Sequence, residues 1–410
     1  VLRRLLAGTL AACAALATAP PARADEVRAS QRQVLNTLDV ERAWQSTRGR
    51  GVTVAVLDSG VDAAHHDLAG SVVTGKDFTA GANPPGVPPR RLHGTYMASL
   101  IAGHGHGPGR ADGVVGVAPE ARILSVRVIL EDEEPGFRTF NSVSRYENVV
   151  ARGIRYAADR GADVINMSIS KEFPTRQERE AVAYAISKGA VLVAAAGNEG
   201  AIPDKLDKRG FAPYSYPASF PGVISVAASD RVHRRAPFSN RNAGVLVAAP
   251  GVDVIGAGPG DQYWVGRGTS QATALVSGVA ALVRSRHPDL APALVAQAIT
   301  ASTTHRPARG YDPDLGFGVV NAAAALREAA KLAKYTTKAA AHDPSRPFRV
   351  SRAAGGPHPG EPVQIIHRDR QVITLYGGIA AACAAGFLGS ILFMVVKLRR
   401  ARRRADVFGG

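Results

Sequence analysis

Cysteine is nearly missing from this chain of 410 residues, and its two examples, Cys13 and Cys383, both sit in hydrophobic segments near the ends. The long stretch between them holds no thiol, so neither disulfides nor thiolate metal sites can staple its fold. Stability has to come from a packed core. Aromatic residues are also scarce, at 6% of the chain. The formal net charge is +16, from 50 Lys and Arg against 34 Asp and Glu, and the basic residues gather in the first few positions, in 331–370 and in the C-terminal tail. That distribution fits targeting and tethering. With no aromatic-rich basic platform or groove-reading motif beside it, it argues against a nucleic-acid partner. No dense oxygen-ligand loop is visible, so no calcium site, and no other metal or cofactor, is expected.

Long uncharged runs are confined to the two ends. Arg3 and Arg4 precede an apolar run over 5–19 and then Ala22-Arg23-Ala24, the small-x-small pattern of a signal peptide occupying 1–24. Residues 372–396 carry no charge; a helix of that length reaches about 37 Å, enough to span a bilayer with some tilt. Lys397, Arg399, Arg400, Arg402, Arg403 and Arg404 follow it, against Arg368, Asp369 and Arg370 before it. The positive-inside bias therefore predicts a single-pass membrane protein with a cytoplasmic tail over 397–410 and its bulk outside. Residues 333–371, rich in Lys, Pro and Arg, read as a linker.

Between the ends, short apolar runs at 52–57, 123–128, 164–167, 191–196, 223–227 and 245–248 read as buried strands. They alternate with helical patterns at 94–102, 143–159, 177–187, 269–285, 292–300 and 321–332. The alternation predicts an α/β domain over 51–332, with a mostly parallel sheet flanked by helices. Functional groups are then expected at the carboxyl ends of strands. Residues 25–50 form an N-terminal extension, expected to wrap on the surface, and 80–89 reads as a surface loop.

Four motifs meet that expectation. Val54-Ala55-Val56-Leu57-Asp58-Ser59-Gly60 is a strand ending in a carboxylate. His93-Gly94-Thr95 opens a helical run, and Val193-Ala194-Ala195-Ala196-Gly197-Asn198 is a strand ending in an amide. Gly268-Thr269-Ser270 places a serine at the start of a helix of small residues, whose positive end favours negative charge nearby. Each alone would be a turn or cap residue.

In this order and at these separations, the four motifs resemble those of the subtilisin-like serine proteases, over about 51–327. The resemblance implies the subtilisin-like three-layer fold and a triad in the chain order Asp58, His93, Ser270, with Ser270 as nucleophile. It implies Asn198 as an oxyanion donor, and Ser168, Ile169 and Ser170 of Asn166-Met167-Ser168-Ile169-Ser170 as a substrate wall beside the primary specificity pocket. The implied activity is hydrolysis of peptide bonds in secreted or cell-envelope proteins. Departures from the family pattern are Ser170 where glycine is usual, Tyr96 in place of a second histidine, Gln271 after the serine, and Ala274 in place of proline.

A leader, a protease domain, one C-terminal membrane helix and a basic tail together look most like the mycosins, which implies a type VII secretion membrane complex as partner. Their disulfides are missing here. The extension 25–50 is too short for a separately folded inhibitory prodomain. His65-His66-Asp67 and Gly103-His104-Gly105-His106-Gly107 read as loops rather than metal sites. The acidic insertion Glu131-Asp132-Glu133-Glu134-Pro135-Gly136 reads as a solvated loop, with a partner contact as the alternative. The rival function is a structural subunit that uses the protease fold mainly for docking.

Overall fold

The computed structural model describes residues 24–334. Residues 1–23 and 335–410, which hold the expected apolar span and basic tail, all but the last residue of the expected leader and nearly all of the expected linker, lie outside it. Among the described residues no helix is long and apolar enough to cross a membrane.

The strands are β1 (Thr53–Asp58), β2 (Val72–Asp77), β3 (His104–His106), β4 (Asp112–Val115), β5 (Arg122–Arg127), β6 (Val164–Met167), β7 (Val191–Ala195), β8 (Val223–Ser229), β9 (Val247–Pro250), β10 (Val254–Gly258) and β11 (Gln262–Gly266). The α-helices are α1 (Ala24–Thr37), α2 (Val40–Trp44), α3 (Leu92–Ala102), α4 (Phe137–Ser142), α5 (Val149–Asp159), α6 (Arg176–Ser187), α7 (Thr269–Arg286), α8 (Pro292–Ala301) and α9 (Ala322–Leu332). Seven strands form one sheet in the order β2-β5-β1-β6-β7-β8-β9, and every pairing in it is parallel.

Parallel neighbours need crossover connections, and these bring helices onto both faces. Side chains of β1 alternate between two cores. Val54 and Val56 pack with Met97 and Leu100 of α3, Val276 and Val279 of α7, Ile299 of α8 and Leu326 of α9. Ala55 and Leu57 pack on the other face with Ile154 of α5 and Val182 and Ala185 of α6. Burial on both sides is why the central strands read as unbroken apolar runs. Helix α7 is buried nearly all round, from Thr269 to Arg284 apart from Ser270, so its many small residues are a requirement of its place against the sheet.

Several expectations are corrected. The extension does more than wrap the surface: Val27, Gln31, Leu35 and Leu38 recur at helical spacing, and Leu35, Leu38, Val40 and Ala43 enter the principal core. Gln31 pairs with the main chain of β4, its amide donating to Val115 O at 3.1 Å and accepting from Val115 N at 2.9 Å. The helix expected from 143 begins at Val149, because Val143 is extended (φ −96°, ψ 123°) and ends the separate α4. The Gly-His-Gly-His segment is strand β3, paired antiparallel with β4. Strand β2 escaped the sequence reading because it is an exposed edge with no apolar alternation.

One close approach sets the position of α3. A Cβ on Gly94 would stand 2.1 Å from Gly60 O, so only glycine lets the start of the helix press on the turn after β1. Gly94→Ala should destabilise the protein by about 2–3 kcal/mol through overpacking, read as a drop in the urea midpoint; an unchanged midpoint would contradict this packing.

Candidate active site

Strand β1 delivers Asp58 to its carboxyl end with no solvent exposure. A buried carboxylate needs partners. Asp58 Oδ1 accepts from Ser59 N at 2.7 Å, and its two oxygens lie 2.8 and 2.9 Å from His93 Nδ1. Nδ1 therefore carries the proton toward Asp58 and Nε2 is left facing the site. His93 is the second residue of α3, half-buried, with its backbone N donating to Glu131 Oε1 at 2.9 Å. Burial disfavours the imidazolium, but the charge of Asp58, its hydrogen bond and the charge of Glu131 outweigh that and raise the His93 pKa above the ordinary 6.5.

Ser270 stands at the other wall, in the first turn of α7. Its hydroxyl donates to Ser168 O at 3.1 Å, and Ser168 Oγ donates back to Ser270 O at 3.0 Å. Among the described residues no hydrogen bond joins Ser270 Oγ to His93. Asn166 Nδ2 donates to Ser168 Oγ at 3.1 Å, and Ser277 of α7 donates to Asn166 Oδ1 at 2.9 Å. The end of β6 and the residue after it are thus tied to α7 at Ser270 and, about two turns further on, at Ser277.

Asn198 follows β7, and its Oδ1 accepts from both Thr269 N and Thr269 Oγ1 at 2.9 Å. With the oxygen committed, Nδ2 is turned outward as a donor. A Cβ on Gly268 would lie 3.6 Å from Ser270 N and 3.7 Å from Asn198 Nδ2. Ser270 N and Asn198 Nδ2 thus lie on one side of Gly268 at the positive end of α7, a setting suited to an oxyanion, with Gln271 Oε1 closer still to that point, at 2.7 Å. Thr269, which fixes the amide, was visible in Gly-Thr-Ser but had no role assigned from sequence.

Ile169 and Ser170 border a cavity of about 560 Å³, with Ile129, Phe140, Val149 and Tyr216 among its other walls. Its rim carries an ion pair of Lys171 with buried Glu178 at 2.6 Å. Two of the sequence departures prove to be neighbours: the Tyr96 hydroxyl donates to Val254 O and lies beside the Gln271 amide, and burial raises its pKa. Together they bridge α3, β10 and α7 beneath the site.

The acidic insertion is solvated only in part: Asp132, Glu133 and Pro135 are exposed, as expected of a surface loop, but two of its carboxylates are not. Glu131 and Glu134 point inward, with side chains 10% and 1% exposed. The two histidine segments, expected as separate loops, meet at Asp67. Asp67 takes His106 Nδ1 at 2.6 Å, the Tyr263 hydroxyl at 2.8 Å and Val114 N at 2.8 Å. Ligand atoms of His65, His66 and Asp67 lie within 4.8 Å of one another. They are already engaged, since His65 Nδ1 accepts from Asp67 N and His65 Nε2 lies 3.3 Å from Gln262 O. Their hydrogen bonds make a brace between β3, β4 and β11.

The fold and these motifs define the class. The model of the Subtilase family, Peptidase S8, matches residues 49–318, and the chain belongs to that family, the subtilisin-like serine endopeptidases. Among particular proteins, it is 39% identical to the thermophilic serine proteinase of Bacillus sp. (strain AK1) over 60% of this chain and 55% of that one, about half of the relative's length. It is similar to the solved structure of MycP3 protease from the type VII (ESX-3) secretion system, with 34% identity, a TM-score of 0.58, and 72% of this chain and 87% of that chain covered. A chain in the periplasmic assembly from the ESX-5 inner membrane complex matches with 31% identity and a TM-score of 0.59, over 72% and 83% of the two chains.

A raised His93 pKa in the folded state means that the Asp58–His93 pairing stabilises the protein fully below about pH 6.5 and loses this contribution as pH rises through the folded value. The melting-temperature gap between wild type and His93→Ala should therefore narrow from pH 6 to pH 9. A gap that widens across this window would contradict the pairing.

Proposed function

We propose that this chain cleaves peptide bonds of secreted or cell-envelope proteins through an acyl-enzyme formed on Ser270. The observation that carries the proposal is the buried Asp58 carboxylate held on His93 Nδ1 at 2.8 and 2.9 Å, which leaves Nε2 free to act as a base toward the serine. The Ser270 hydroxyl leaves Ser168 O and turns to His93. Ser270 Oγ attacks the substrate carbonyl carbon as Nε2 takes its proton. The carbonyl oxygen becomes an oxyanion that accepts from Asn198 Nδ2 and Ser270 N. His93 then returns the proton to the departing amine, the C–N bond breaks, and water hydrolyses the ester by the same route. Asp58 holds the ring and stabilises the imidazolium.

Ser168, Ile169 and Ser170 serve in this reading as the wall along which extended substrate lies, and the adjoining cavity suits a bulky apolar side chain. The Ser170 side chain narrows that wall relative to glycine. Likeness to MycP3 and to the ESX-5 assembly chain supports association with a type VII secretion membrane complex. The uncharged run at 372–396 and the basic residues after it support a single membrane span with the protease domain outside the cytoplasm.

The full chain in detergent micelles should react covalently with a fluorophosphonate, and Ser270→Ala and His93→Ala should each abolish labelling. Asn198→Ala should keep the triad and lower turnover of a peptide substrate about 100- to 1,000-fold. Equal labelling of wild type and Ser270→Ala would rule out this site.

A further inference from the structure

The turn after β5 leaves Asp132 and Glu133 exposed but turns Glu131 toward the catalytic pair, with Glu134 behind it. Glu131 Oε1 accepts from His93 N at 2.9 Å and from Ser59 Oγ at 2.6 Å. Ser59 Oγ accepts in turn from Gly94 N at 3.1 Å, while Ser59 N donates to Asp58 at 2.7 Å. A single carboxylate oxygen thus grips the main chain of His93 and, through Ser59, the residue next to Asp58. The first turn of α3 needs such an acceptor. Its N-cap residue, Arg91, is left-handed (φ 59°, ψ 18°) and makes no side-chain cap bond.

Glu131 is itself held in place. Its backbone N donates to Glu134 Oε1 at 3.2 Å, and Glu134 Oε2 accepts from Arg127 Nη2 at 2.6 Å and Asn83 Nδ2 at 2.5 Å. Arg127 Nε closes the circuit on Ser59 O at 3.0 Å. Arg90, before α3, pairs with Glu131 Oε2 at 3.5 Å. The anionic groups that bear on the His93 ring are Asp58, at Nδ1, and Glu131, at the main chain, with the Arg90, Glu134 and Arg127 charges linked to Glu131 or Ser59.

We propose that Glu131 is a positioning residue: it caps α3 from outside the helix, sets His93 against Asp58, and places a negative charge behind the imidazole. The proposal rests on the reading of His93 as the general base. It accounts for Glu131 as one of the charges that make the ring more basic.

The test is the pH dependence of the second-order rate constant for fluorophosphonate labelling, using the full chain in detergent micelles. Glu131→Gln keeps an oxygen that can accept both hydrogen bonds but removes the charge. Its plateau rate should stay within about 3-fold of wild type, and its acidic limb should move down by about half a pH unit. Glu131→Ala removes the cap as well, and its plateau should fall by about 10-fold or more. An acidic limb in Glu131→Gln that coincides with wild type would overturn the proposal, as would a wild-type plateau in Glu131→Ala. Thermal melts report whether each variant is folded; if the alanine variant is not, the glutamine limb decides. Failure of the wild type to label would count against the catalytic reading alone. In that case the His93 ring titration, followed by NMR on carbon-labelled histidine, decides the Glu131 claim by moving down in Glu131→Gln or staying in place.

Discussion

A carboxylate taken fully out of water at the end of a central strand must be answered by donors, and the structure around Asp58 is arranged to answer it. One donor is local, Ser59 N; the other is His93, which reaches Asp58 only because α3 starts where Gly94 can touch Gly60. The turn that holds Ser59 is gripped by Arg127 and Glu131. The opposite wall obeys the same logic. Asn198 spends its oxygen on Thr269 so that its nitrogen faces outward, and Ser168 and Ser270 exchange hydrogen bonds across the cleft. Asp58, His93 and Asn198 are each oriented by the bonds their neighbours make, while the Ser270 hydroxyl rests on Ser168 O.

The central sheet was legible because its strands are covered on both faces, which leaves unbroken apolar runs in the sequence. The four motifs were legible because strand ends and helix starts leave short local signatures. Glu131 and Glu134 were not, since a run of four acidic residues and their near neighbours ordinarily faces water. What holds Glu134 inside is Arg127, a residue of β5 that gave no sign in sequence of turning its guanidinium toward the loop, and what takes up Glu131 is Ser59 and the His93 main chain. The histidine brace at Asp67 was hidden for a related reason: His66 and His106 are forty residues apart in the chain, and they meet only because Asp67 bonds to both β3 and β4 in the fold.

Tyr96 and Gln271 show how family departures become intelligible in three dimensions. Read one at a time they are isolated changes beside the histidine and the serine. In the fold they are adjacent, and they fill the space between the helices that carry those two residues, so they bear on how α3 and α7 sit relative to each other.

The extension at the amino end has a consequence for how the molecule comes into being. Leu38 O accepts from Ala322 N at 2.7 Å, and α2 packs against α9, so an early helix of the domain finds its partner in the last described one. A growing chain can build the sheet as its crossovers appear and lay α1 on β4, but α2 must wait for its partner α9 until almost the whole domain has been made. The fold is closed by joining its beginning to its end.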